Sequence, residues 1–338
     1  MASDASAENS CPITYEELRD LEQEFEDAET EITRQHLALT KPLYEKREKT
    51  VSQIPNFWAL VFEQAPPDVD QYIHPTDSAV FLSSLKKLTV SHFELENNPK
   101  GDPRSVAIKF EFDENEYFED RVLEKKFWYR RSKDGWSGLV SEPVPIKWKE
   151  DKDLTDGILD LVVKVWQQDK SQANGESSKP KKIETFTPDE KALKEKIAKT
   201  GLGGMSFFTW FGYRGPRVSE EESRLAIEKE REERRLRAEG KATKKDGEEE
   251  GEDDEDDDDE SLALEIFPDG EELAVAISED LWPNAIKYFT QGQEAAELSD
   301  LDFEELDDDE MKEDEEDEED EEDEENDNVQ RPSKKQRT

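Results

Sequence analysis

Between residues 14 and 54, apolar or small residues recur at Leu18, Leu21, Phe25, Ala28, Ile32 and Leu39. The steps alternate between three and four, with Gln35 as the polar member. This is a heptad seam, narrower than the stripe of a core-facing helix. Its start is well marked. Thr14 stands where it can cap the first turn, Glu17 completes a capping box, and Ile13 and Leu18 occupy hydrophobic-staple positions. A helix over 14–54 would span roughly 60 Å, about twice the diameter of a small domain. The seam therefore predicts a homodimer joined through Leu18, Leu21, Phe25, Ala28, Ile32 and Leu39, in preference to a kinked helix packed on its own domain. Pro42 removes a backbone donor and predicts a bend near Lys41, after which Leu43, Tyr44, Val51 and Ile54 carry the apolar face onward.

Beyond the helix, the dense apolar run 54–62 is set apart by Pro55 and closed by Pro66-Pro67. The segment 77–88 has the pattern of a short amphipathic helix. Then the period drops to two. A strand is predicted over 89–95, a turn-rich loop over 97–103, and a second strand in which Val106, Ile108, Phe110 and Phe112 alternate with polar neighbours. A third covers 122–130, with Leu123, Lys125, Phe127 and Tyr129 on one face. Lys133-Asp-Gly135 marks a turn, and a fourth strand is predicted over 144–149. Strands following helices without βαβ alternation predict an α+β fold, here an antiparallel meander with one buried face.

From 169 to 186 the composition is that of a flexible connector. Thr187 and Glu190 form another capping box, with Pro188 at the first helical position, and open a helix that stops near Gly201. Ser206-Phe-Phe-Thr-Trp-Phe211 must be buried. The segment 219–239 is polar nearly all round, with acid–arginine pairs at i,i+4, and reads as a solvated helix closed by Gly240. Core-like composition returns over 279–289. A charged insertion over 217–270 therefore interrupts a body that runs from 55 to 289, between an N-terminus (1–13) and a tail (290–338) both read as disordered.

Charge sharpens this division. Of the net −45, the blocks 248–260 and 300–327 together carry −33, so the remainder is an ordinary acidic domain with aromatic residues enough for a core. Cys11 is the only cysteine, which excludes a disulfide framework and a cysteine-based metal cluster. No leader-like apolar stretch or membrane-length segment occurs, so the protein is expected to be intracellular and free of membrane contact. The terminal cluster of Arg331, Lys334, Lys335 and Arg337 reverses the sign of the tail and reads as a nuclear-import signal. His36, His74 and His92 lack metal-ligand spacing, and Gly201-Leu-Gly-Gly204 lacks the lysine and strand of a phosphate loop. No nucleophile and base stand out. The chain reads as a binder without a cofactor, not an enzyme, and its carboxylates favour a strongly basic partner over duplex DNA. Low-affinity Ca²⁺ buffering by the acidic runs is the alternative from another class.

Several motifs then align in order. They are Lys41-Pro-Leu-Tyr-Glu-Lys-Arg47 with Ile54-Pro-Asn-Phe-Trp58, Phe112-Asp-Glu-Asn-Glu-Tyr-Phe118, Ile146-Lys-Trp-Lys149, Ser206-Phe-Phe-Thr-Trp-Phe211 and Asp280-Leu-Trp-Pro-Asn284. Together they resemble the nucleosome assembly protein family, in particular its SET/template-activating-factor type of histone chaperone. The resemblance implies a homodimer joined through antiparallel long helices, an α+β "earmuff" whose underside receives core histones (H3–H4 and/or H2A–H2B), and an acidic tail. It further implies nucleosome assembly, some weak duplex DNA contact and, as an alternative activity, inhibition of a protein phosphatase. On the body, Glu111, Asp113, Glu114, Glu116, Glu119 and Asp120 are the candidate histone contacts. The 217–270 segment is expected to neutralise itself, its arginines against the block 248–260.

Overall fold

The computed structural model describes residues 13–172, 186–200, 205–239, 263–295 and 297. Helix α1, Tyr15–Val51, opens on the capping box. The Glu17 N–H donates to Thr14 Oγ1 at 3.2 Å, and the Thr14 N–H donates to the Glu17 carboxylate at 3.1 Å. It runs through Pro42 without ending. Pro42 lies on the exposed side, where the carbonyl it leaves unbonded can reach water. Leu43 stays on the exposed seam, but Tyr44 and Val51 turn to the body, so the apolar face divides there.

Helices α2 (Phe57–Glu63), α3 (Pro67–Asp70) and α4 (Pro75–Ser84) follow. The sheet is an antiparallel meander of β1 (Leu85–Ser91), β2 (Val106–Phe112), β3 (Val122–Arg131) and β4 (Ser137–Ser141), in the order β1-β2-β3-β4. A short helix, α5 (Phe93–Asn97), sits between β1 and β2. The α+β class and the meander agree with the sequence pattern, but three boundaries differ. The helix expected over 77–88 ends at Ser84 and β1 begins at once. A bulge between Leu85 and Lys87 turns both Leu85 and Leu88 inward, so a spacing of three inside a strand imitates a helix. The expected strand 89–95 therefore ends at Ser91. The 144–149 segment is no strand, because Pro143 and Pro145 lack ladder donors, and only Trp148 forms a bridge, to Phe118. The fourth strand is instead Ser137–Ser141, after the expected turn at 133–135.

The inner face of the sheet places Leu88, Val90, Ile108, Phe110, Leu123 and Phe127 against the aromatic run, which forms a 3₁₀ turn, Phe207–Gly212, buried at every residue. Phe110 packs on Phe207, Trp210 and Phe211 with ring centroids at 5.7, 6.3 and 6.0 Å. Asp77 anchors that turn to α4: its carboxylate accepts from Ser206 Oγ at 2.5 Å, the Phe207 N–H at 2.8 Å and the His74 N–H at 3.0 Å. A second cluster joins α6 (Ile158–Gln172) and α7 (Pro188–Thr200) through Ile158, Val162, Val165 and Leu193 to Leu264 and Ile266. α7 opens on the expected capping box, whereas α6 runs into the stretch read as a connector. Helix α8, Glu220–Ala238, lies against β3 and α1. Of the expected 217–270 insertion, Leu264, Ile266 and Phe267 belong to the buried body; the block 248–260 lies outside the described residues. A last helix continues past Phe289 to residue 295.

Candidate functional site

Two surfaces carry the residues singled out above. The first is α1. Leu18, Leu21, Phe25, Ile32, Leu39 and Leu43 are 50 to 75 % exposed, and Ala28 is exposed with them. This exposure is large for a row of large apolar side chains on one helix. The opposite face of α1 is already used. Arg47 sits among the rings of Tyr44, Trp58 and Trp282, at 4.8, 5.6 and 4.4 Å, and donates to the carbonyls of Trp282 and Pro283. Further up, Glu26 meets Arg104 at 2.6 Å and Arg131 at 3.0 Å. Burial pushes the Glu26 carboxyl up, but these two guanidiniums together hold it below the ordinary carboxylate range. Arg131 also pairs with Glu230 of α8, and its backbone N–H donates to Ser223 Oγ.

α8 is tied directly to α1. Arg237 forks onto Asp20 at 2.6 and 2.9 Å, and Arg234 meets Asp27 at 3.0 Å. The Arg237 hydrogen bond lowers the Asp20 pKa. These partners lie more than 200 positions apart in the chain, so no local pattern announced them. Arg234 and Arg237, expected to face the block 248–260, are engaged with α1; that block lies outside the described residues.

The second surface is the loop between β2 and β3. Asn115 Oδ1 accepts from the Tyr117 and Phe118 N–H groups, and Phe118 plugs into Phe112, Trp148 and Phe208, at 5.1, 5.8 and 5.6 Å. With the aromatic held inside, the acidic side chains face out. Asp113, Glu114, Glu119 and Asp120 surround one open depression of about 210 Å³, with Phe118, Arg121 and Lys149. Glu111 and Glu116 do not line it. The loop is partly neutralised: Asp113 pairs with Lys86, Glu114 with Arg121 and Glu116 with Lys152, each at 3.2 Å, and Glu111 with Lys109 at 2.7 Å. Asp120 accepts the Lys147 N–H at 2.7 Å. Glu119 has no ion pair among the described residues. Exposed pairs of this kind are worth at most about 1 kcal/mol each, so an incoming cation can replace them. Arg331, Lys334, Lys335 and Arg337 lie outside the described residues. Among those described, no group of three potential ligands could hold a metal ion, and no helix is long and apolar enough to cross a membrane.

The architecture defines a class: an α+β body carried on a long helix that leaves one apolar face uncovered. The family model for nucleosome assembly proteins (NAP) matches residues 48–292. The chain belongs to that family. It is 39 % identical over 151 residues to a putative nucleosome assembly protein of Schizosaccharomyces pombe, a match covering 41 % of this chain and 59 % of that one. It is 40 % identical over 119 residues to protein SET of Drosophila melanogaster, covering 34 % and 41 %. These matches thus span less than two thirds of either relative. Among solved structures, the Vps75 histone chaperone is similar with a TM-score of 0.47 at 24 % identity, covering 82 % of this chain and 97 % of that one.

Proposed function

We propose that this protein is a nuclear histone chaperone that acts as a homodimer joined through α1, binds core histones (H3–H4 and/or H2A–H2B) and promotes nucleosome assembly and disassembly. It acts by binding, without a cofactor. The observation that carries the reading is the uncovered apolar row of α1, whose opposite face is already occupied by the body and α8. A second copy satisfies that row, and pairing two bodies doubles the acidic loop surface offered to a basic partner. The family membership supports histones as that partner. The loop carboxylates of Asp113, Glu114, Glu119 and Asp120 are the contacts we assign on the body, assisted by the acidic tail.

The test is a titration of full-length protein with H3–H4, with H2A–H2B and with duplex DNA across a salt series. Histone affinity is expected to exceed DNA affinity throughout and to weaken as salt rises. The triple variant Asp113→Asn, Glu119→Gln, Asp120→Asn should bind histones more weakly while remaining folded. Unchanged histone affinity in that variant removes the loop from the interface, and tighter binding of DNA than of histones overturns the reading.

A further inference from the structure

The seam of α1 does not explain its own pairing. With Leu18, Phe25, Ile32 and Leu39 at one core position of the heptad and Leu21, Ala28 and Gln35 at the other, one flank is the row Glu17, Glu24, Glu31. The opposite flank begins with Glu22 and Glu29. In an antiparallel pair each flank faces its own copy, and in a parallel pair it faces the other flank. Both arrangements set carboxylate against carboxylate along the seam, which opposes association. Within α1, Glu31 meets Arg34 at 3.2 Å, but among the described residues Glu24 meets no cation of its own helix, so one has to come from outside α1.

The structure holds one in the right place. The basic end of α8 lies beside the Glu24 flank, and an open groove between the two helices is lined by Glu24, Asp27, Arg231, Arg234 and Arg235. Arg234 and Arg237 are spent on Asp27 and Asp20 of their own chain. Arg231 makes no ion pair among the described residues. Among the described residues Arg235 pairs only with the exposed Glu232, one turn away on α8. Glu24 follows Leu21 by three and precedes Ala28 by four, so this groove adjoins the seam directly.

We infer that Arg231 and Arg235 of α8 are an interface element: they receive the flank carboxylates, the Glu17, Glu24, Glu31 row, of a second copy of this chain, and convert an acid-against-acid seam into a complementary one. This rests on the homodimer reading above. In this arrangement the ion pairs between α8 and α1 act as a mount, holding two further arginines beside the seam.

The test is the dimer dissociation constant of the full chain by sedimentation equilibrium, at physiological salt. Arg231→Glu/Arg235→Glu should weaken association about tenfold, since the two-fold axis repeats a contact of surface ion-pair strength. Both residues are surface arginines, and circular dichroism checks that the variant stays folded. The deciding arm mixes that variant with a second one, Glu24→Arg/Glu31→Arg. Each alone should associate poorly, and the mixture should form a one-to-one heterodimer at wild-type strength. If the wild type is a dimer and the arginine variant associates equally well, the inference fails. If the arginine variant is weak but the mixture is not rescued, the arginines act only within their own chain and it fails too. A monomeric wild type instead overturns the homodimer reading itself.

Discussion

Lys125 shows how a single residue sets a condition on the whole body. It stands on the inner face of β3, fully buried, and its Nζ donates to the carbonyls of Glu142, Phe211 and Tyr213 at 3.0, 3.1 and 2.9 Å. Burial lowers its pKa to about 7, against the upward pull of Glu265 and Glu142. Between that value and the ordinary 10.5 Lys125 binds more protons in the unfolded chain than in the folded one, so its contribution to stability rises with pH across this window. Lys125→Met removes both the window and the donor. We expect it to cost about 1–3 kcal/mol through the stranded carbonyls, and to flatten the rise in urea midpoint between neutral and alkaline pH. An unchanged slope would show that Lys125 does not titrate there. Asp77 is another buried ionisable side chain that links elements. Asp77→Ala loses acceptors for Ser206, Phe207 and His74 at once, and about 3 kcal/mol of stability is expected to go with them, measured by denaturant unfolding.

Among the elements, α8 and α1 share the most consequential contact. Asp20 and Glu26 have lowered pKa values, so the stabilisation they contribute is present above the ordinary carboxylate range and is lost as pH falls through their depressed values. Amide exchange in α8 should therefore quicken more than in the sheet on acidification, and Glu26→Gln should reproduce part of that effect at neutral pH. Equal change in both would mean that α8 is held by other forces. This junction also marks the limit of what the sequence discloses. Local signals were readable: the Thr14 and Thr187 boxes, the alternation in β2 and β3, and the aromatic run that had to be buried. The short Ser137–Ser141 strand offers too little alternation, and the bulge at Leu85 disguises β1. The partners of Arg234 and Arg237 are set by tertiary folding alone. Of the six candidate carboxylates, five lie on the loop and Glu111 on β2; the sequence does not disclose that Glu111 and Glu116 lie outside the depression or that four of the six are already ion-paired.

At the scale of the molecule, the helix is proposed as a joint, the body as a seat and the tail as an accelerator. Leu21→Asp, Phe25→Asp and Ile32→Asp together should yield a folded monomer, because these side chains contribute little to the burial of their own body. Circular dichroism and light scattering would check it, and a dimer surviving those charges would remove the seam from the interface. Deleting residues after 299 should weaken histone capture and flatten its salt dependence without abolishing it, since most of the tail's charge acts through long-range attraction. Loss of all binding would move specificity into the tail. The most direct measurement is the mass of the full-length protein by multi-angle light scattering at micromolar concentration, alone and with core histones. Two 39.1 kDa chains alone, gaining the mass of bound histone at physiological salt, is the predicted result. A single-chain mass that histones leave unchanged would contradict the account.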